Sequence, residues 1–140
     1  IFSLVIDTVL EKSDVQFIFL PFTVNTFSFG NMQADQVLAE VLYEKLKHKE
    51  GFVTLKGVYK PEDLKGIIGS IDLLVSMRVI PLVLSYSINT PCIAVCCSEK
   101  LSSYADMVGL TSINLEDFNV NMLMHILACQ KGKIHKRNSV

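Results

Sequence analysis

The sequence predicts an α/β fold, a doubly wound parallel sheet in three layers, and three observations carry that reading. Short apolar runs alternate strictly with amphipathic stretches along the chain, the pattern of consecutive βαβ units with right-handed crossovers. The first of these runs, residues 15–22, is nearly continuous in apolar residues, as in a strand buried on both faces of a parallel sheet. At 140 residues, half of them hydrophobic, the chain suffices for one domain, 1–140, with one core.

The first stretch, "FSLVIDTVLEK", has helical spacing in Phe2, Val5, Ile6, Val9 and Leu10. "VQFIFLPF" at 15–22 follows as a strand stopped by Pro21, and "TVNTFSFGNMQA" at 23–34 is polar and turn-prone. That loop is long for a compact domain, which makes it a candidate for function. Asp35 suits an N-cap, and the helix after it places Val37, Leu38, Val41, Leu42 and Leu46 on one face with lysines in its last turns. "FVTLKGVY" is the second strand. "KPEDLKGIIGS" carries Pro61 near a helix start, with Glu62 and Asp63 where the helix dipole favours acids. "DLLVSM" is a third strand, "RVIPLVLSYSIN" a helix opening near Arg78, "PCIAVCC" a fourth strand, "LSSYADMVG" a helix and "TSINL" a short fifth strand. "NVNMLMHILACQKGKIHKR" closes the series as an amphipathic helix turning basic at its end, where cations suit the dipole.

Composition excludes several classes of function. A net charge of -1 gives no field that would point to nucleic acid or an anionic membrane. The apolar run at 73–97 is broken by Arg78, Pro81, Asn89 and Pro91 before it reaches the roughly 20 residues of a membrane span. No signal-peptide layout is present, so a cytoplasmic location is expected. The four cysteines, Cys92, Cys96, Cys97 and Cys129, form no CxxC pair, and three share one apolar run. They read as core thiols in a reducing compartment, and no metal and no cofactor are expected. His48, His125 and His135 show no metal-ligand spacing, and no nucleophile elbow, P-loop or dinucleotide fingerprint occurs. The chain opens on Ile1 within a helical pattern, which reads as a fragment of a larger two-domain protein.

Five strands joined by helices suggest the order 2-1-3-4-5, a Rossmann-like arrangement with its topological switch point between the first and third strands. Ligands in such sheets bind beyond the carboxyl ends of the strands, here at the loop of residues 21–34 and the turn at Met77 and Arg78. Arg78 is a lone charge between an apolar strand and a helix. Free N–H groups at the helix start and a guanidinium fork together suit a phosphate or carboxylate. An ion pair with Asp72, Asp35 or a partner domain is the structural alternative. Lys100 stands after the fourth strand and could reach the same crevice or simply be solvated, and Ser98 and Ser102 are hydroxyl ligands or helix caps.

Residues 67–110, "IIGSIDLLVSMRVIPLVLSYSINTPCIAVCCSEKLSSYADMVGL", are similar in order and spacing to the signature of polysaccharide pyruvyl transferases. That family shows an Ala-Asp strand leading to a Met-Arg-Leu-His turn, a helix, a Gly-Val-Pro turn, an apolar strand, a Tyr-Asp-Pro-Lys segment and a Gly-Leu ending. Met77, Arg78, Pro91, Lys100, Gly109 and Leu110 match it in register, and the "FIFLPF" strand, its loop, Asp35 and "YKPEDLKGII" resemble the preceding region. The resemblance covers about residues 15–128. It implies the carboxyl-terminal half of a bilobal, glycosyltransferase-B-like fold whose other partner is an amino-terminal Rossmann-like half. The implied reaction moves an enolpyruvyl unit from phosphoenolpyruvate to a sugar or nucleotide-sugar acceptor of a cell-surface polysaccharide. Arg78 would be the catalytic cation and a substrate-binding residue, with Lys100, Ser98 and Asp35 binding substrate. Homo-oligomerisation is left open.

The departures from the family point to other classes. Ile80 stands where the family has histidine, and isoleucine transfers no proton, a loss commonly of about 10²- to 10⁴-fold in general acid catalysis. Cys97, Ser98 and Glu99 replace Tyr-Asp-Pro. A catalytically inactive relative that binds a sugar nucleotide or packs on a partner domain is therefore the first alternative. A sugar-nucleotide-dependent glycosyltransferase, with Glu99 gripping a ribose, is the second.

Overall fold

The computed structural model describes residues 2–22, 34–56 and 59–138. Its helices and parallel strands alternate along the chain: α1 Phe2–Lys12, β1 Phe17–Phe19, α2 Ala34–Lys45, β2 Phe52–Thr54, α3 Pro61–Ser70, β3 Leu74–Ser76, α4 Val79–Ser87, β4 Cys92–Cys96, α5 Glu99–Val108, β5 Thr111–Asn114 and α6 Val120–Asn138. The mixed α/β class predicted from the alternating pattern is therefore present. The chain divides into two compact units, residues 1–58 and 59–140. β1 pairs with β2, and β3, β4 and β5 pair in that order, all in parallel. The described strands thus form a two-stranded and a three-stranded sheet, where the sequence predicts one run of 2-1-3-4-5.

In the first unit, Ile6, Leu46 and Phe52 form a buried cluster backed by Leu10, Phe17, Phe19 and Leu42. Phe17 lies opposite Phe52, and the tilted rings of Phe19 and Phe52 sit 6.3 Å apart, within the range of favourable aromatic pairs. The alternate side chains of the same strands, Ile18 and Val53, are exposed. β1, expected to be buried on both faces, is here covered on one. In α2 Ala39 is buried and Leu42 half-buried, and Leu46 just past its end is buried, while Val37, Leu38 and Val41 of the predicted apolar face are exposed. The helix thus turns Ala39, and not Val37, Leu38 or Val41, inward. A 3-10 turn at Lys49–Gly51 leads into β2, and a Cβ placed on Gly51 would run into the side chain of Leu10.

The core of the second unit joins Leu82 of α4, Ala94 and Cys96 of β4, and Leu101 and Ala105 of α5, with Val79, Cys92, Tyr104 and Leu110 packed around it. β4 is buried on both faces, since Ile93 and Val95 are as inaccessible as Ala94. Each helix here ends or begins on an identifiable device. Asp63 accepts the Lys60 N–H at 3.2 Å at the start of α3, and Asn119 Oδ1 accepts the Met122 N–H at 3.0 Å at the start of α6. α4 ends with Asn89 in the left-handed region (φ 57°), Thr90 N–H donating to Ser85 O at 3.0 Å. Below it, Thr90 Oγ1 donates to Ile68 O of α3 at 3.0 Å and Ser85 Oγ to Thr90 O at 3.1 Å, both inside the core. α5 ends on Gly109 (φ 70°), with Leu110 N–H donating to Ala105 O at 2.9 Å. Both are Schellman-type ends, and Leu110 is the apolar residue that such a cap packs back onto the helix.

Candidate functional site

Because β3 and β4 are adjacent and parallel, the chain leaves both at the same edge and enters α4 and α5 there. Two helix N-termini, whose first N–H groups find no partner within the helix, therefore lie side by side at the carboxyl edge of this sheet. Arg78 is the N-cap residue of α4 in extended conformation, and it is exposed. Its backbone is tied down by Ser76: the Arg78 N–H donates to Ser76 Oγ at 3.0 Å, and Ser76 Oγ lies 3.0 Å from Arg78 O as donor to it. Ser76 is itself buried. The turn after β3 is thus held by a side chain of the strand's own last residue.

On the neighbouring strand, Cys97 Sγ lies 3.9 Å from Met77 O, which places the turn after β4 against the turn after β3. Ser98 caps α5, its Oγ accepting the Leu101 N–H at 3.4 Å. A hydroxyl that accepts in this way keeps its own proton for an outside acceptor. Lys100 is the second residue of α5 and is exposed. Arg78, Ser98 and Lys100 therefore share the carboxyl edge of the three-stranded sheet, at β3 and β4; the predicted switch point lies between the first and third strands, which pair in different sheets among the described residues. Asp35 belongs to the first unit, in the first turn of α2, where its Oδ2 accepts the Phe22 N–H at 3.1 Å. It ties the end of the β1 segment to the start of α2, across residues 23–33. The predicted site loop falls mainly on those residues, outside the described part of the chain.

The cysteines divide by depth. Burial pushes the thiols of Cys92 and Cys96 up, against a hydrogen bond from Ser85 at Cys92 and reinforced by Asp106 and Cys97 at Cys96. Cys96 is buried and Cys92 half-buried, and the upward shift makes both thiols poorer nucleophiles than a free cysteine. Cys97 and Cys129 are exposed, contrary to the expectation of core thiols, because β4 ends at Cys96 and α6 turns Cys129 outward.

The first unit holds a different polar group. Asp7 of α1 accepts the Lys47 N–H at 2.9 Å through Oδ1 and 3.1 Å through Oδ2, and the His48 N–H at 3.0 Å through Oδ1. Desolvation alone would raise its pKa, but the backbone donors of His48 and Lys47 together outweigh it and hold the carboxyl below its ordinary value. His48 Nδ1 stands 3.5 Å from Asp7 Oδ1, too far for a good hydrogen bond, so the attraction is coulombic when the imidazole is protonated. Beside this clamp a cleft of about 280 Å³ is lined by Ser13, Asp14, Gln16, His48 and Glu50. It opens before the amino ends of β1 and β2, the edge opposite to that used by ligands of open α/β sheets.

Ser76, Cys97 and Asp7 escaped sequence reasoning. A serine ending an apolar strand two residues before a charge is a recognisable turn signal, whereas the partners of Cys97 and Asp7 are remote in sequence. Comparison of the chain with models of known protein families, with curated protein sequences and with solved structures finds no match in any of the three.

Proposed function

We propose that the chain is a pyruvyl-transferase-like module of glycan biosynthesis, whose sheet edge at Arg78 holds the anionic groups of phosphoenolpyruvate while its enolpyruvyl unit passes to a sugar hydroxyl. The observation that carries this reading is the pairing of the α4 and α5 N-termini at one edge, with Arg78 on the first and Lys100 on the second. Backbone N–H groups, a guanidinium and an ammonium offer donors on two sides of a phosphate or carboxylate. The Ser98 hydroxyl supplies a further donor, and Asp35 anchors the base of the loop on its own unit. A second feature supports the register of the resemblance. The glycine of the family's Gly-Val-Pro turn falls on Asn89, which has the left-handed backbone such a position requires.

In this reading the fold is a doubly wound, three-layer domain, the carboxyl-terminal half of a glycosyltransferase-B-like enzyme that meets an amino-terminal Rossmann-like half across a cleft. Protonation of the donor's methylene carbon creates an oxocarbenium-like centre for the sugar hydroxyl to attack. Arg78 stabilises the departing phosphate and the carboxylate, and the proton comes from a group other than residue 80. One observation favours a second reading, a non-catalytic relative that keeps a sugar-nucleotide site. Ile80, at the position of the family's histidine, is 48% exposed, so an apolar side chain stands where the acid would act.

Thermal unfolding of the chain with phosphoenolpyruvate, and with uridine and guanosine diphosphate sugars, tests both. A ligand at 100 times its Kd adds about 2.7 kcal/mol of stability. A shift with phosphoenolpyruvate that Arg78→Ala abolishes is the expected result. A shift with nucleotide sugars alone selects the non-catalytic relative, and no shift with any ligand overturns both readings.

A further inference from the structure

A histidine and a cysteine meet on α6. His125 and Cys129 are both exposed, and Cys129 Sγ lies 3.9 Å from His125 Nε2. Residues four apart on a helix project from one face, one turn above the other, so the separation is set by the helix itself. As an S–H···N hydrogen bond the contact is long and weak, which leaves the pair's closeness serving little within the chain.

The spacing is close to what a metal requires. With zinc–sulfur and zinc–nitrogen bonds of about 2.3 and 2.0–2.1 Å at a tetrahedral angle, sulfur and nitrogen stand about 3.6 Å apart. A small rotation about a side-chain bond of Cys129 closes the difference. We propose that His125 and Cys129 form a two-ligand clip for a thiophilic divalent cation of the zinc class. On binding, the thiol loses its proton to solvent as the metal–sulfur bond forms, and Nε2 gives its lone pair while the imidazole proton resides on Nδ1. Among the described residues no three His, Cys, Asp or Glu side chains converge into a metal-holding group. The clip therefore keeps coordination positions open to water, and binds more weakly than a closed four-ligand centre.

Cobalt(II) titration of the full chain under a thiol-free reductant is the test, since a cobalt–thiolate bond gives a near-ultraviolet charge-transfer band. The wild type is expected to show a saturable band that zinc bleaches by displacement. Cys129→Ser removes the band, and His125→Gln weakens binding at least about tenfold, the scale at which even outer-shell partners of a metal ligand matter. Cys97→Ser leaves the band in place. Both ligand positions are exposed, so circular dichroism is expected to report an unchanged fold in every variant. A band that survives Cys129→Ser, or a wild type without a thiolate band, overturns the proposal.

Discussion

Ser76 fixes the backbone of Arg78, because its hydroxyl holds both the N–H and the carbonyl of the residue that presents the guanidinium. Ser76→Ala is expected to cost about 1–2 kcal/mol, since a buried hydroxyl and its partners lose their bonds, and to reduce any ligand shift that depends on Arg78. Urea unfolding and the same thermal assay measure the two effects. Arg78 was legible as a solitary charge in an apolar run; Ser76 was not, because one serine in such a run reads as strand. Asp7 was equally hidden, since it lies on an ordinary amphipathic helix and its donors lie at 47 and 48. Its lowered pKa makes its contribution complete above the unfolded value of about 3.9 and lost as pH falls through the folded value. Asp7→Asn should therefore cost about 2 kcal/mol at pH 7, and the gap to the parent protein should narrow as pH drops below about 4. Chemical denaturation across that range, with a constant gap as the contrary result, decides it.

Among the elements, the ends proved as informative as the interiors. Gly109 has open space around its missing Cβ, so Gly109→Ala tests backbone conformation alone and is expected to cost about 1 kcal/mol. A neutral result in thermal unfolding would mean that the end of α5 is not under conformational demand. All five strands and six long helices of the described chain were legible from alternation and capping residues. Strand lengths were not, since β1 keeps only Phe17–Phe19 of the predicted 15–22: pairing with a three-residue partner limits it. The face of α2 was also misread, because periodicity weighs large apolar residues and Ala39 is small. At the site, the placing of Arg78 and Lys100 each after a strand and before a helix was legible in the alternation, while the contact of Cys97 with Met77 joins residues 20 apart and was not.

Taken whole, the chain has a three-stranded unit with its own core and a two-stranded unit whose sheet is covered on one face. A fragment of residues 59–140 is expected to unfold cooperatively with helical circular dichroism; a broad, non-cooperative melt would make the first unit a condition of its folding. Among the described residues no helix is long and apolar enough to cross a membrane. The parallel pairing of the described strands also bears on how the molecule is made, for none of them can zip up against its neighbour through a tight turn. Leu74 must find Cys92 and Ile93 must find Thr111, whereas Phe17 must find Phe52 across about twice the chain. Each doubling of a closed loop costs about 0.6 kcal/mol more in entropy. The second unit should accordingly gain amide protection first in pulse-labelled refolding, and the first unit should be the later and more aggregation-exposed part of nascent chains. The reverse order would show that the packing of α1 on α2 outruns the sheet.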